Sequence, residues 1–316
     1  MGSSACIRVR GWRLLAVLTL LLSGVLRAEP VVVSSKLSSE SLMLGQMILV
    51  LLEDAGIAVR DRTALGATPI VRRALLAGEV DIYVEYTGNG AFFFNRPVDP
   101  AWKDLEQGYA LGSALDLAQN RIVWLEPARA SNAWALAVRG EVARQAGLRS
   151  LSDFARWVRE GGSVVLACSA EFANAGTLRA LEQTYGFHLA PRQKIVLAGG
   201  ETAATISAAA AGTSGVNTAM VYGTDGGIAA AGLVLLDDDL RQQPVYAPVP
   251  IAREPVLLAN PRIAPLVAGL MRGFDAARLQ ALNARVQIDG ESPGAVARDY
   301  LASTGQLARS SAAGTR

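Results

Sequence analysis

Histidine is almost absent from this chain. Its single copy, His188, lies in the turn-like stretch "YGFHLAP", and one imidazole without a cysteine cluster cannot build a transition-metal centre. Cysteine is equally scarce, with only Cys6 and Cys168. Cys6 falls in an N-terminal segment that reads as removable, so a mature chain keeps Cys168 alone and has no internal disulfide. In "VVLACSAE" Cys168 reads as a small packed residue. An excess of one charge is lacking too: 30 Lys and Arg against 28 Asp and Glu give a formal net charge of +2. That removes the electrostatic case for nucleic acid. There is no P-loop and no G-x-G-x-x-G spacing, and "GTSGV" at 212–216 is not a nucleophile elbow. The run Asp237, Asp238 and Asp239 lacks the ligand pattern of a calcium loop and reads as a solvated turn. The expectation is therefore no metal, no cofactor and no enzyme; for an enzyme of cleft type the best remaining acid/base pair is Glu85 and Asp225.

Long apolar runs are missing beyond the first 28 residues. There, Arg8, Arg10 and Arg13 precede an apolar core from Leu14 to Leu26, which is too short for a comfortable membrane span. The segment 1–28 reads as a secretory signal cleaved after Ala28, with an uncleaved anchor as the alternative. No cysteine closes the apolar run, so lipid anchoring is not expected. Export without lipidation points to a bacterial periplasm.

What the chain does have is alternation. "VVVSS", "IAVRDRTA" and "VDIYVEY" read as strands, separated by the helical segments "SESLMLGQMILVLLEDAG" and "TPIVRRALLAGE". Ser38 or Ser39 is a candidate cap for the first helix and Gly56 its terminator. This βαβαβ order implies α/β architecture with a parallel sheet. A helix from about Trp102 to Gln119 follows, and a second βαβ-type set runs from roughly residue 132 to 245. The chain then reads as mostly helical up to a small polar tail, "GQLARSSAAGTR". The length of 316 residues, with 51% hydrophobic, suits two lobes: residues 29–131 plus 246–316, and residues 132–245. The crossings fall near Ser131 and Val245, and a cleft between such lobes is where ligands collect. Glu53, Asp54, Arg72 and Arg73 read as exposed charges, for which solvation is the plainer role and docking the sharper one.

Aromatic residues make up only 6% of the chain, yet their placement is informative. Tyr86 in "EYTG", Trp134 in "NAWAL", Tyr222 in "VYGTDGG" and Tyr246 in "PVYAP" fall at strand ends or crossings. Taken singly, each reads as a core or rim aromatic. Jointly they come from both expected lobes, and converging ring faces attract a cation.

Several long motifs carry a family resemblance. "SSKLSSESLMLGQM", "GATPIVRRALLAGEVDIYVEYTGNG", "NAWALAVRGEVARQAGLRSLSDFA" and "VYGTDGGIAAAGLVLLDDD" resemble the corresponding segments of substrate-binding proteins from osmoprotectant ABC transporters, the glycine betaine/choline-binding family. The resemblance covers essentially all of residues 31–303, and the run from "YGTDGG" to "REPVL" is most similar to an osmotically induced, lower-affinity branch. It implies the two-lobed periplasmic binding protein fold (type II), with a trimethylammonium head boxed by four rings. By motif position these rings are Tyr86, Trp134, Tyr222 and Tyr246, with Trp134 in place of the usual tyrosine. Lys36 matches a lysine that meets the ligand carboxylate in some members, and Asn89 and Asn132 stand where polar contacts are expected. The partners implied are an ABC permease with its ATPase, and the protein is expected to be a monomer. There are two departures. Ser38 replaces a phenylalanine, and the arginine that clamps a carboxylate in some relatives is absent near Asn174 and Ala175. Another small solute such as an amino acid, or a periplasmic sensor, remain the alternatives.

Overall fold

The computed structural model describes residues 29–174, 176–197 and 202–307. The expected signal segment 1–28, Ala175 and the tail beyond residue 307 lie outside the described residues. Among the described residues there are ten strands: β1 Val31–Lys36, β2 Val59–Gly66, β3 Ile82–Tyr86, β4 Ile122–Trp124, β5 Trp134–Arg139, β6 Leu166–Ser169, β7 Lys194–Leu197, β8 Thr218–Tyr222, β9 Leu233–Leu235 and β10 Pro248–Arg253. They form two five-stranded sheets, ordered β2-β1-β3-β10-β4 and β7-β6-β8-β5-β9.

Both sheets obey one rule. The parallel strands are those joined by helices, β1 with β2 and β3, and β6 with β7 and β8. The fourth position in each order is held by an antiparallel strand arriving directly from the other sheet: β10 in the first, β5 in the second. The βαβ reading anticipated the parallel pairs. It did not anticipate the inserted strands, because their partners are far away in sequence.

Each sheet is covered on both faces. In the first, β1 and β3 pack Val31, Val33, Ile82 and Val84 against Met43, Leu44, Met47 and Ile48 of the Ser39–Asp54 helix and against the C-terminal helices. The opposite face buries Val32, Tyr83 and Trp124 with Val71 and Leu75 of the Thr68–Ala77 helix. The second sheet has Leu136, Leu166 and Met220 on one face, and Ala137, Ala167, Ala219 and Val221 on the other. Two buried faces explain why these strands read as near-continuous apolar runs.

Local signals were partly right. Ser38 occupies the N-cap position of the first helix without making a side-chain cap bond, and Gly56 turns the chain with φ 74°. The helix expected from Trp102 is broken at Asp104, whose carboxylate caps a new helix, Leu105–Asn120, through the Glu106 and Gln107 amides. Arg72, read as exposed, is buried: its guanidinium forks onto Asp116 at 2.7 and 2.6 Å and lies 4.6 Å from the centre of the Phe93 ring.

The lobes are joined by more than two strands of chain. The Asn132 amide donates to the Tyr246 carbonyl at 2.9 Å, and the Tyr246 amide donates to the Ser131 hydroxyl at 3.0 Å. The two crossings therefore hydrogen-bond each other. The Ala276–Gln287 helix, started by Asp275, lies against the segment after β8. There the Gln280 side chain donates to the Gly223 carbonyl at 2.8 Å, and the Gly226 amide donates to the Gln287 side chain at 3.0 Å. A Cβ on Gly226 would stand 2.1 Å from the Ala284 backbone nitrogen. Gly226→Ala is therefore expected to destabilise the fold by about 1–3 kcal/mol, read as a lower midpoint in urea unfolding. An unchanged midpoint would mean that this helix yields freely.

Candidate functional site

The C-terminal ends of β1 and β3 place Lys36 and Tyr86 side by side at the mouth of the first sheet, the edge where open α/β sheets take ligands. On the facing lobe, Trp134 at the start of β5 is the direct partner of Tyr222 at the end of β8, with ring centroids 6.4 Å apart. Antiparallel pairing of two strand ends thus sets two rings in one wall. Tyr246 leads into β10, whose Pro248 pairs with Tyr86. Its ring lies over Gly88, where a Cβ would come within 2.9 Å. The bare backbone of the "YTGN" turn is what lets that ring lie flat.

These side chains line one cleft of about 1380 Å³. Lys36, Tyr86, Asn89, Asn132, Trp134, Tyr222 and Tyr246 all reach it. So do residues that sequence reasoning passed over: Glu40, Phe92, Asn283 and the face of the Thr202–Ala211 helix bearing Thr202, Ala203, Ile206, Ser207 and Ala210. Glu40 lies inside a motif already quoted, but its neighbours suggested only a helix start. Asn283 had no local signal at all. Phe92 adds a fifth ring, 69% exposed at the rim.

Lys36 differs from its expected role as an available anion partner. Its ammonium is ion-paired with Glu85, and it also lies over the Tyr86 ring, 4.7 Å from the centroid. Glu85 is fully buried. Besides Lys36 it accepts from the Tyr83 hydroxyl at 2.9 Å, the Tyr86 amide at 2.7 Å and the Asn89 side chain at 2.7 Å. Asn132 is likewise engaged, through its side-chain amide to the Thr224 hydroxyl and to Glu40 at 3.3 Å. Lys36 is the one cation among the described lining residues, against the carboxylates of Glu40, Glu171 and Asp225.

Two of the phenols stay neutral. Burial, reinforced by Glu40, pushes the Tyr86 hydroxyl well above its ordinary value, and burial with Glu85 nearby pushes Tyr246 up. Trp134 meets Phe172 edge-on at 5.8 Å. Its indole N–H is buried with no hydrogen-bond partner, so the side chain serves the cleft as a ring rather than as a donor.

The sparse acid/base candidates take structural positions. Asp225 accepts from the Tyr222 amide at 2.8 Å, a turn-forming contact. His188 is exposed and 3.3 Å from Glu182. Asp238 accepts from the Gln242 and Gln243 amides at 3.0 and 2.7 Å, and Asp239 from the Ser152 amide at 3.1 Å. That run is a hydrogen-bonded turn, and no group of metal-holding residues occurs among the described residues.

Two mixed sheets, two crossings and a ring-lined cleft between them define a two-lobed solute-binding protein of the periplasmic type. The comparisons narrow the class. Residues 29–303 match the family described as OpuAC, the substrate-binding domain of the ABC-type glycine betaine transport system. The chain belongs to that family, one of transport proteins. It is 49% identical over 279 residues to the glycine betaine-binding protein YehZ of Escherichia coli (strain K12), covering 88% of this chain and 92% of that one. It is 32% identical to a glycine-betaine-binding protein of Pseudomonas aeruginosa, covering 91% and 92%. The solved structure of apo YehZ from Escherichia coli superimposes with a TM-score of 0.84 at 48% identity, covering 88% of this chain and all (100%) of that one.

The buried Lys36–Glu85 pair gives a direct test of the site's electrostatics. Lys36→Met leaves Glu85 as an uncompensated buried charge and is expected to cost about 3–5 kcal/mol of stability. Adding Glu85→Gln is expected to restore most of that loss in urea unfolding. Equal destabilisation by the single and double variants would contradict the pairing.

Proposed function

We propose that this protein is the periplasmic solute-binding protein of an ABC importer for glycine betaine or a related quaternary ammonium compatible solute. The observation that carries the reading is the set of rings, Tyr86 and Tyr246 from one lobe and Trp134 and Tyr222 from the other, around a single cleft. A trimethylammonium head donates no ordinary hydrogen bond, so polar walls discriminate it poorly, whereas ring faces attract it by roughly 0.5–2 kcal/mol each. Four rings supply about 2–8 kcal/mol before the cost of immobilising ligand and lobes, which gives affinities in the micromolar to millimolar range.

The lobes are residues 29–131 with those from 246 onward, and residues 132–245. Each lobe supplies half the box, so ligand favours their approach, and the ligand-bound form is what a permease with its ATPase would receive. Lys36 holds the carboxylate end of a zwitterionic ligand only by sharing its charge with Glu85, and no arginine lines the cleft among the described residues. Affinity at the weak end of that range follows. The signal segment 1–28 delivers the chain across the inner membrane, and none of the described helices is long and apolar enough to cross one. The protein acts as a monomer, binds no nucleic acid and turns over no substrate.

Calorimetry on the mature protein with glycine betaine, choline, carnitine, proline betaine and a set of amino acids tests the reading. Heat is expected with at least one quaternary ammonium compound at millimolar concentration. Heat only with amino acids, or none at all, would overturn it. Trp134→Ala is expected to weaken that binding by about one to two orders of magnitude. Gly88→Ala, by lifting the Tyr246 ring, is expected to weaken it by about tenfold. Unchanged affinity in either variant removes the corresponding ring from the site.

A further inference from the structure

Glu40 makes contacts that a box of rings does not require. It lies in the first turn of the Ser39–Asp54 helix and lines the cleft, yet is only 4% exposed. One oxygen accepts from the Tyr86 hydroxyl at 2.7 Å and from the Asn132 side chain at 3.3 Å. The other accepts from the Asn283 side chain at 2.6 Å. Asn283 also donates to the Thr224 carbonyl at 2.8 Å, and Asn132 reaches the Thr224 hydroxyl. One carboxylate therefore joins the end of β3, the first crossing, the turn after β8 and the Ala276–Gln287 helix. These are the parts that must keep register if rings from two lobes are to share one ligand.

We propose that Glu40 is a positioning residue: its ionised carboxylate fixes the Tyr86 ring and the crossing between lobes together, so that ligand affinity falls when it is protonated. The inference rests on the quaternary-ammonium reading of the cleft. An ionised carboxylate only accepts hydrogen bonds, and every group facing Glu40 here donates to it. Protonation on the oxygen held by Asn283 sets a donor against that amide N–H, and protonation on the other oxygen makes the Tyr86 hydroxyl, which can also accept, reverse its bond; either way the present set of three donated bonds is lost.

Burial, the largest influence, raises the Glu40 pKa, against the opposing bonds from Thr224, Tyr86 and Asn283 and the favourable helix N-terminus. The sign follows. The folded value lies above the unfolded one, so stability from this group is present at low pH and lost as pH rises through the folded value. Ionised Glu40 thus costs stability while it organises the cleft, and a neutral replacement separates the two effects. The other titratable or charged groups on the elements around it are Lys36 at the end of β1, Tyr83, Glu85 and Tyr86 on β3, Asp225 after β8, and Arg278 and Arg285 on the Ala276–Gln287 helix, the last paired with Glu291 and Asp299. Lys36 and Glu85 neutralise each other, and the groups that bond to Glu40 from the crossing and the Ala276–Gln287 helix, Asn132 and Asn283, do not titrate.

The test titrates wild type, Glu40→Gln and Tyr86→Phe with glycine betaine by calorimetry from about pH 8 to about pH 5, alongside melting temperatures. Wild-type affinity is expected to fall about tenfold or more toward acid. Glu40→Gln is expected to bind about tenfold more weakly at the alkaline end, with a flat pH profile and a melting temperature no lower than wild type. Tyr86→Phe, which removes the hydroxyl contact and keeps the ring, should flatten the profile as well. A flat wild-type profile overturns the proposal, as does a Glu40→Gln protein that binds like wild type. Parallel loss of affinity and melting temperature also overturns it, since that is what a merely structural residue would give. If Glu40→Gln does not fold, a wild-type-like pH profile in Tyr86→Phe is the overturning result. No heat from wild type at the alkaline end removes the ammonium reading, and this inference with it.

Discussion

The buried ion pair between Lys36 and Glu85 is the constraint around which the first lobe's half of the site is arranged. Two adjacent strands end in opposite charges, and the low dielectric there allows neither to stand alone. Glu85 has filled its remaining acceptor capacity with the Tyr83 hydroxyl, the Tyr86 amide and Asn89. As a result the strand end, the Tyr86 ring and the turn after it hold one geometry. The Lys36 ammonium then lies on the Tyr86 ring itself. The protein thus carries a tethered cation over one of its cleft rings, and a balanced charge rather than a bare anion beneath the cleft.

The second constraint is that a site made of two halves needs a defined relation between them. Crossings that hydrogen-bond each other at Ser131, Asn132 and Tyr246 supply one link. The Ala276–Gln287 helix supplies another, through close approach at Gly226 and side-chain bonds from Gln280 and Gln287. Several of the same residues, Asn132 and Tyr246 among them, also line the cleft. The connection between lobes and the cleft wall are therefore partly one structure.

The chemistry of the walls suits a charge that cannot be hydrogen-bonded. Burial holds Tyr86 and Tyr246 neutral, and the Trp134 N–H is buried without a hydrogen-bond partner. The polar groups of the cleft are largely engaged with one another: Asn89 with Glu85, Asn132 with Thr224 and Glu40, Asn283 with Glu40 and the Thr224 carbonyl. They hold shape more than they offer vacant contacts.

The sequence by itself determined the α/β alternation, the parallel cores of both sheets and the positions of the four rings at strand ends or crossings. These depend on local periodicity and turn chemistry, which a chain carries residue by residue. Only the tertiary structure decided where β5 and β10 insert, since antiparallel partners such as Trp134 and Tyr222 are chosen across long separations. It also decided that Arg72 is buried on Asp116, that Lys36 is already paired, and that Glu40 and Asn283, 243 residues apart, meet. A charged side chain looks alike in sequence whether water or a carboxylate surrounds it. The partner that makes its burial tolerable comes from another part of the chain, and folding alone brings the two together.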